Sequence, residues 1–458
     1  MVDYIKIKKG LNVPVDGAPK SEIKKTIIPE IVAIKPTNFR GVIPKLTVKE
    51  GDHVKAGGSI FIDKARPEIV FSSPVSGTIL KIVRGEKRKL LEVLISVDKE
   101  IEYENFDLPK FENLTPELIK DTLLKSGLWV NIKQRPFNVI PNINDTPKSI
   151  FISGFNSAPL APDMDFVLKN RLDDLQMGID VLKKLVHKPI HIGLHISNSS
   201  STPIHKLKNV EFNVFDGPHP AGNVGIQIHK ISPINKGDIV WTLDLVKVAK
   251  IGKLFSKGIY DSNIIVAVSG PRAIEPSYIK TVEGFNFKDI AEFVSPNSEK
   301  FQDNSGVRYI SGNILTGNTV GAEGYLGFFD NQVTLITEGD YNEAFGWAKP
   351  FRTKKFSFSH AYFSWLTPRK KYKMDSNLNG GERAFVLTDI YSKVLPMDIL
   401  PVYLLKAILA EDIDKMEQLG IYEVVEEDFA LCEYVCPSKI EIQSIIAKGI
   451  DLMIKELA

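Results

Sequence analysis

Between residues 149 and 214 the spacing of apolar positions changes period twice, and that change predicts the middle of the chain. Residues 149–153 form a short apolar run that stops at Gly154, as a buried strand does. Leu168, Leu172, Leu175, Ile179, Leu182 and Val186 follow at steps of four and three, which places them on one face of a helix. Alternation then returns in Ile190, Ile192, Leu194 and Ile196, and again in Val210, Phe212 and Val214. Strand, helix, strand, strand predicts a Rossmann-like α/β domain, assigned to residues 149–258.

The flanking regions follow other patterns, and together they predict an α+β multidomain chain. Residues 1–100 are short alternating strands separated by Gly, Pro and Asp, with Gly51-Asp52 and Gly57-Gly58 read as hairpin turns. This layout resembles the biotinyl/lipoyl barrel-sandwich hybrid. Asp63-Lys64-Ala65 matches the lipoylation turn of carrier domains, although Pro74 lies ten positions after Lys64, about two more than in a carrier hairpin, and Arg66-Pro67 would deform the tip. Residues 101–148 are broken by five prolines and read as a linker covering the next domain, with a helix from Thr115 to Ser126. Residues 259–340 read as strand, turn at Gly270-Pro271, strand and short helix, which resembles the soluble-ligand-binding (SLBB-like) β-grasp module. Residues 341–458 are expected to be mainly helical. Their last helix carries Ile442, Ile445, Ile446, Ile450, Met453, Ile454 and Leu457 as one stripe.

The densest turn chemistry lies at Phe215 to His229, FDGPHPAGNVGIQIH, where Gly217, Pro218, His219, Pro220, Gly222 and Gly225 fall within nine residues. The glycines permit positive φ and would leave backbone amides available to a ligand or partner. Ile226 and Ile228 against Gln227 and His229 read as a strand. The loop directly follows the predicted strand at Val210 to Val214, at the carboxyl edge where open α/β sheets place ligands. His219 is the one side chain in it that would titrate near neutral pH.

Composition narrows the chemistry. With 58 basic and 56 acidic residues the chain is too balanced for an electrostatic nucleic-acid binder. No apolar run approaches the roughly 18 residues of a spanning helix, and the first residues lack a secretory core. The only cysteines, Cys432 and Cys436, argue for a reducing compartment. No G-x-G-x-x-G follows the strand ending at Gly154, and no Walker pattern exists, so no nucleotide or NADH binding is expected. His191 and His195 lie on an alternating strand rather than a helix, which argues against a metal pair. No catalytic residue, cofactor-binding residue or metal site is assigned. In the segment from Ser357 to Arg383, aromatics stand beside the basic run Arg369 to Lys373. Such a segment could suit anionic headgroups or a partner at a membrane face, and a solvated charge run flanking a core segment is the commoner explanation.

GPHPAGNVGIQIH, and with it most of the chain, resembles the family of A subunits of sodium-translocating NADH:quinone reductases. The turn around Met374 to Arg383 resembles it too. The resemblance implies a cytoplasmic chain, peripheral on the inner face of a bacterial inner membrane. Its complex oxidises NADH, reduces ubiquinone or menaquinone and exports sodium. NADH, flavins and an iron–sulfur centre are then expected in other subunits, some integral to the membrane and flavin-bearing, with no cofactor on this chain alone. Gly217, Pro218, His219, Pro220, Gly222 and Gly225 become the candidate contact with quinone or with a neighbour in the complex. CEYVCPSK resembles a degenerate cluster loop, since the related C subunits of Rnf-type complexes carry full motifs there and a four-iron cluster needs four thiolates. Cys432 and Cys436 are thus a redox pair or simply structural. Two other readings stay open: a lipoyl/biotinyl-type carrier attached at Lys64, and a purely structural scaffold.

Overall fold

The computed structural model describes residues 3–295, 306–339, 341, 352–360, 362–386 and 389–457. Of the region expected to be mainly helical from 341, residues 342–351 lie outside the described residues, and the described part of 352–386 holds a 3-10 turn, Phe363–Leu366, and no α-helix.

The α/β domain is a six-stranded sheet. Its strands are β1 (Asp3–Lys6), β2 (Lys133–Arg135), β3 (Ser149–Ser153), β4 (Ile190–His195), β5 (Glu211–Asp216) and β6 (Val240–Asp244), in the order β1-β5-β4-β3-β6-β2. All neighbours run parallel except β2, which pairs antiparallel with β6. Its helices are α1 (Pro116–Lys125), α2 (Leu172–Val186), α3 (Val224–Ile231) and α4 (Leu245–Lys257). Thr115 caps α1 by accepting from Leu118 N, and Pro116 opens it, as the sequence predicts. Helices α2 and α4 cross through glycine: a Cβ on Gly178 would sit 2.1 Å from Val248 O, and one on Gly252 1.7 Å from Asp174 O. Backbone meets backbone there, which is why residues poor for helices occupy helix interiors.

Two segments behave differently from their sequence reading. The stretch read as a linker, 101–148, supplies α1 and the edge strand β2, and Trp129 stacks edge-on against Trp241 of β6 with ring centroids 5.4 Å apart. The first thirty residues serve two other domains, with β1 beside β5 in the α/β sheet and Ile23–Thr26 beside Ser277–Val282 in the β-grasp sheet. Short strands with one or two apolar positions carry too little periodic signal to reveal such long-range pairing.

The barrel-sandwich hybrid has a four-stranded sheet (Ile31–Ile34, His53–Val54, Gly77–Arg84, Leu90–Val97) facing a three-stranded one (Pro44–Leu46, Ser59–Asp63, Val70–Ser72). Gly51 and Gly57 are not in hairpins. Pro44–Leu46 pairs with Ser59–Asp63, and His53–Val54 pairs with Gly77–Arg84, so each glycine turn carries the chain from one sheet to the other. Both glycines have φ near +90°, the conformation they were expected to supply. The β-grasp sheet is completed by Val307–Ser311, Asn318–Val320 and Gln332–Thr337 around Asn263–Ser269. The C-terminal helices Pro401–Leu409, Ile413–Gln418, Ala430–Tyr434 and Ile442–Leu457 share one core with β1 residues, Phe215 and Ile226. Among the described residues no helix is long and apolar enough to cross a membrane.

Candidate functional site

In this sheet the strand order reverses between β3 and β6, the position where doubly wound sheets open a crevice at their carboxyl ends. A cavity of about 230 Å³ lies there. Ser153 and Asp244 line it from the two strand ends, Lys133 and Arg135 from β2, and Lys247 from α4. The β-grasp domain adds Asn313 and Phe329, the C-terminal region adds Glu427, and the loop after β5 adds His219, Gly222 and Asn223. Three domains thus meet at one hollow.

The loop is built as a wall. Gly217 has φ +150°, and a Cβ there would lie 2.3 Å from Ile7 O. His219 N donates to Asn12 Oδ1 (2.8 Å), and Leu11 N donates back to His219 O (2.8 Å). Gly222 N donates to Ser157 Oγ (2.8 Å), and Ala221 N and Asn223 N bond to Pro218 O and Pro220 O. The amides of His219, Ala221, Gly222 and Asn223 are therefore used within the wall. A Cβ on Gly225 would meet Asp428 Oδ1 at 2.5 Å, which seats α3 against the C-terminal region.

Two expectations about this stretch are corrected. Residues 224–231 form α3, not a strand. The apparent alternation misleads because Gly225 to His229 are all buried: Gln227 and His229 are enclosed as well, with Gln227 Nε2 on Ser153 Oγ (2.9 Å) and His229 Nδ1 against Glu423 Oε2 (2.7 Å). His219 does not titrate near neutral pH. It is 3% exposed, and burial lowers its pKa to about 4, so it stays a neutral imidazole with Nδ1 3.0 Å from Ser157 Oγ.

The groups with electrostatic leverage are the ones sequence reading passed over. Lys247 and Lys250 both reach Glu283, at 2.6 and 2.5 Å, and all three are nearly fully buried. Burial pushes both lysines down. Burial alone would raise Glu283, but the two ammonium groups prevail and hold it below the ordinary glutamate value. Arg135 pairs with Glu427 (2.6 Å) and the buried Asp428 (3.3 Å), whose carboxyl is nonetheless raised to about 6 by burial. Lys133, also lowered by burial, rests its amine 3.7 Å from the Phe329 ring centre and meets no carboxylate or hydrogen-bond acceptor among the described residues. Only the fold brings these residues together from four distant segments. An isolated lysine on a three-residue edge strand leaves no signature in sequence.

The remaining candidates lie elsewhere. Cys432 and Cys436 are buried free thiols in the C-terminal core, with Cys436 Sγ 3.0 Å from Tyr391 Oη. Burial raises the Cys432 thiol well above its usual range. Among the described residues no cluster of three or more His, Cys, Asp or Glu could hold a metal. His191 stacks on Phe151 and His195 bonds Ser197 Oγ, both on β4 as expected. Lys64 is exposed, but its turn is pinned: Asp63 accepts from Ala65 N and Arg66 Nε, and Arg66 Nη1 donates to Ile140 O of the α/β domain (2.9 Å).

Comparison with known proteins agrees with this architecture. Residues 5–98 match the family model of the NqrA N-terminal barrel-sandwich hybrid domain, 114–260 the NqrA second alpha/beta domain, and 265–322 the NQRA C-terminal domain. The chain is 37% identical over 457 residues to the A subunit of the Na(+)-translocating NADH-quinone reductase from Neisseria meningitidis serogroup A, covering 99% of this chain and 100% of the relative. Against the protein of that name from Yersinia pestis it is 38% identical, covering 95% and 96%. Against that from Haemophilus influenzae it is 37% identical, covering 99% and 100%. This chain belongs to the family of Na+-translocating NADH-quinone reductase A subunits.

Proposed function

We propose that this chain is a peripheral cytoplasmic subunit of a sodium-pumping NADH:quinone reductase, held against the inner face of a bacterial membrane by integral, flavin-bearing neighbours. On this reading the flavins, the iron–sulfur centre and the NADH site belong to those neighbours, and the isolated chain turns nothing over. The supporting observation is relatedness along the whole length, with three family domains in the same order.

Gly217, Pro218, His219, Pro220, Gly222 and Gly225 are proposed to act as the wall that shapes a quinone- or partner-facing cavity, not as an exposed docking loop. Within that cavity Lys133 is a cationic donor available to a carbonyl oxygen, in place of the neutral and enclosed His219. Tagged chain drawn from detergent-solubilised native membranes is expected to bring the integral flavoprotein subunits with it. Recovery of the chain alone, or with unrelated soluble enzymes, would remove the assignment.

The carrier reading has less support, because a carrier lysine must swing and the Asp63–Arg66 turn is tied to the neighbouring domain. Intact-mass measurement of chain isolated from its native cells is expected to give the unmodified mass. A lipoyl or biotinyl increment on Lys64 would favour the carrier instead.

A further inference from the structure

Residues 351–374 contain seven lysines and arginines and not one aspartate or glutamate, in a chain whose charges as a whole nearly cancel. Within this stretch the 3-10 turn Phe363–Leu366 is inside out. Ser364 is buried, its Oγ accepting from Ser357 N (3.2 Å), while Phe363, Trp365 and Leu366 are 42%, 52% and 60% exposed. Folded chains normally do the reverse, and three large apolar groups side by side on one turn mark a contact surface. Lys354, Arg369, Lys371 and Lys373, in the same stretch of the chain, are exposed with no carboxylate partner among the described residues. The turn is nevertheless anchored, since Tyr372 is buried and bonds with the N-terminal arm, Tyr372 N donating to Pro14 O (2.8 Å) and Asp16 N to Tyr372 O (2.9 Å).

We propose that this face rests on an anionic lipid surface, with Phe363, Trp365 and Leu366 entering the headgroup layer and the surrounding cations neutralising lipid phosphates. The stretch carries one sign of charge only, with no acidic residue to set a register against a protein partner. Four exposed cations in the same stretch as exposed apolar and aromatic side chains instead suit a fluid surface of one charge sign. The assignment stands apart from the reductase reading, because it rests on this face alone.

The full chain is expected to sediment with phosphatidylcholine vesicles containing phosphatidylglycerol, and not with phosphatidylcholine alone. Added salt should weaken the binding as it shortens the screening length. Because each surface cation contributes about fivefold in partitioning, Lys371→Glu with Lys373→Glu should lower it by about thirtyfold or more. Phe363→Ser with Trp365→Ser should lower it with the charge unchanged. All four side chains are exposed, so unaltered thermal melting would confirm that the variants fold. Equal binding to neutral vesicles, or undiminished binding by either variant, overturns the proposal. So does an absence of vesicle binding by variants and wild type alike, and if the variants then also lose membrane subunits, the face is a protein-docking surface. A chain that binds anionic vesicles yet recovers no reductase subunits leaves this proposal intact and removes the reductase reading.

Discussion

Glu283→Gln is expected to destabilise the folded chain by about 3–5 kcal/mol at neutral pH, because it leaves Lys247 and Lys250 buried with no counterion. Glutamine fills the same space and can accept one hydrogen bond, so the loss reports charge rather than packing. The pH dependence separates this account from a simple cavity effect. In the native chain Glu283 is held below its ordinary value, so its contribution is present above the unfolded carboxyl pKa of about 4.3 and fades as pH falls through the folded value. In the variant the two lysines are depressed further below their unfolded value of about 10.4. Between those limits the unfolded chain binds more protons than the folded one, so stability rises with pH and the deficit narrows as the lysines deprotonate. Urea titrations at several pH values from neutral to about 10 would show the narrowing. A deficit that stays constant over that range would mean that the triad does not carry the charge assigned to it.

Gly217→Ala is expected to cost about 3 kcal/mol, through a backbone conformation that side chains avoid and a Cβ 2.3 Å from Ile7 O. The site of the clash matters. Ile7 N donates to Asp216 O (2.7 Å) immediately beside it, so pushing the strands apart would unseat the N-terminal arm from the α/β sheet. Limited proteolysis should then cut the variant within its first thirty residues under conditions that spare the native chain. If the alanine variant has an unchanged urea midpoint and the same proteolytic pattern, the loop is not the tightly fitted wall described above.

Periodicity carried the sequence reading where elements are long and amphipathic. Leu175, Ile179 and Leu182 announced α2, which has one face in the core and one outside, and the alternation from Ile190 announced β4, where Ile190, Ile192 and Leu194 alternate with His191, Gly193 and His195. The same logic failed at α3, where Gln227 and His229 are as buried as Ile226 and Ile228, so no face contrast existed to be read. The position of the candidate site was half legible. Turn residues at 217–225 marked the carboxyl edge of the sheet, but not the reversal between β3 and β6 that opens the cavity. Lys133, Lys247 and Glu283 were silent because partners decide the meaning of a charged residue, and theirs lie in other segments of the chain. The buried Ser364 beside three exposed apolar groups, on which the proposal for Arg369 to Lys373 rests, left no mark in the spacing of the sequence.

The N-terminal arm has a consequence for how the molecule is made. Asp3 is synthesised well before its partner Asn213, which emerges only after the barrel-sandwich hybrid and most of the α/β domain, and Ile23 must wait still longer for Tyr278. Pairings so distant in sequence close late and slowly. During synthesis the opening segment therefore trails as a loose tether while the domains behind it condense, and its docking is the step that fastens two finished bodies together. A nascent chain stalled before residue 211 should carry that segment still open to protease.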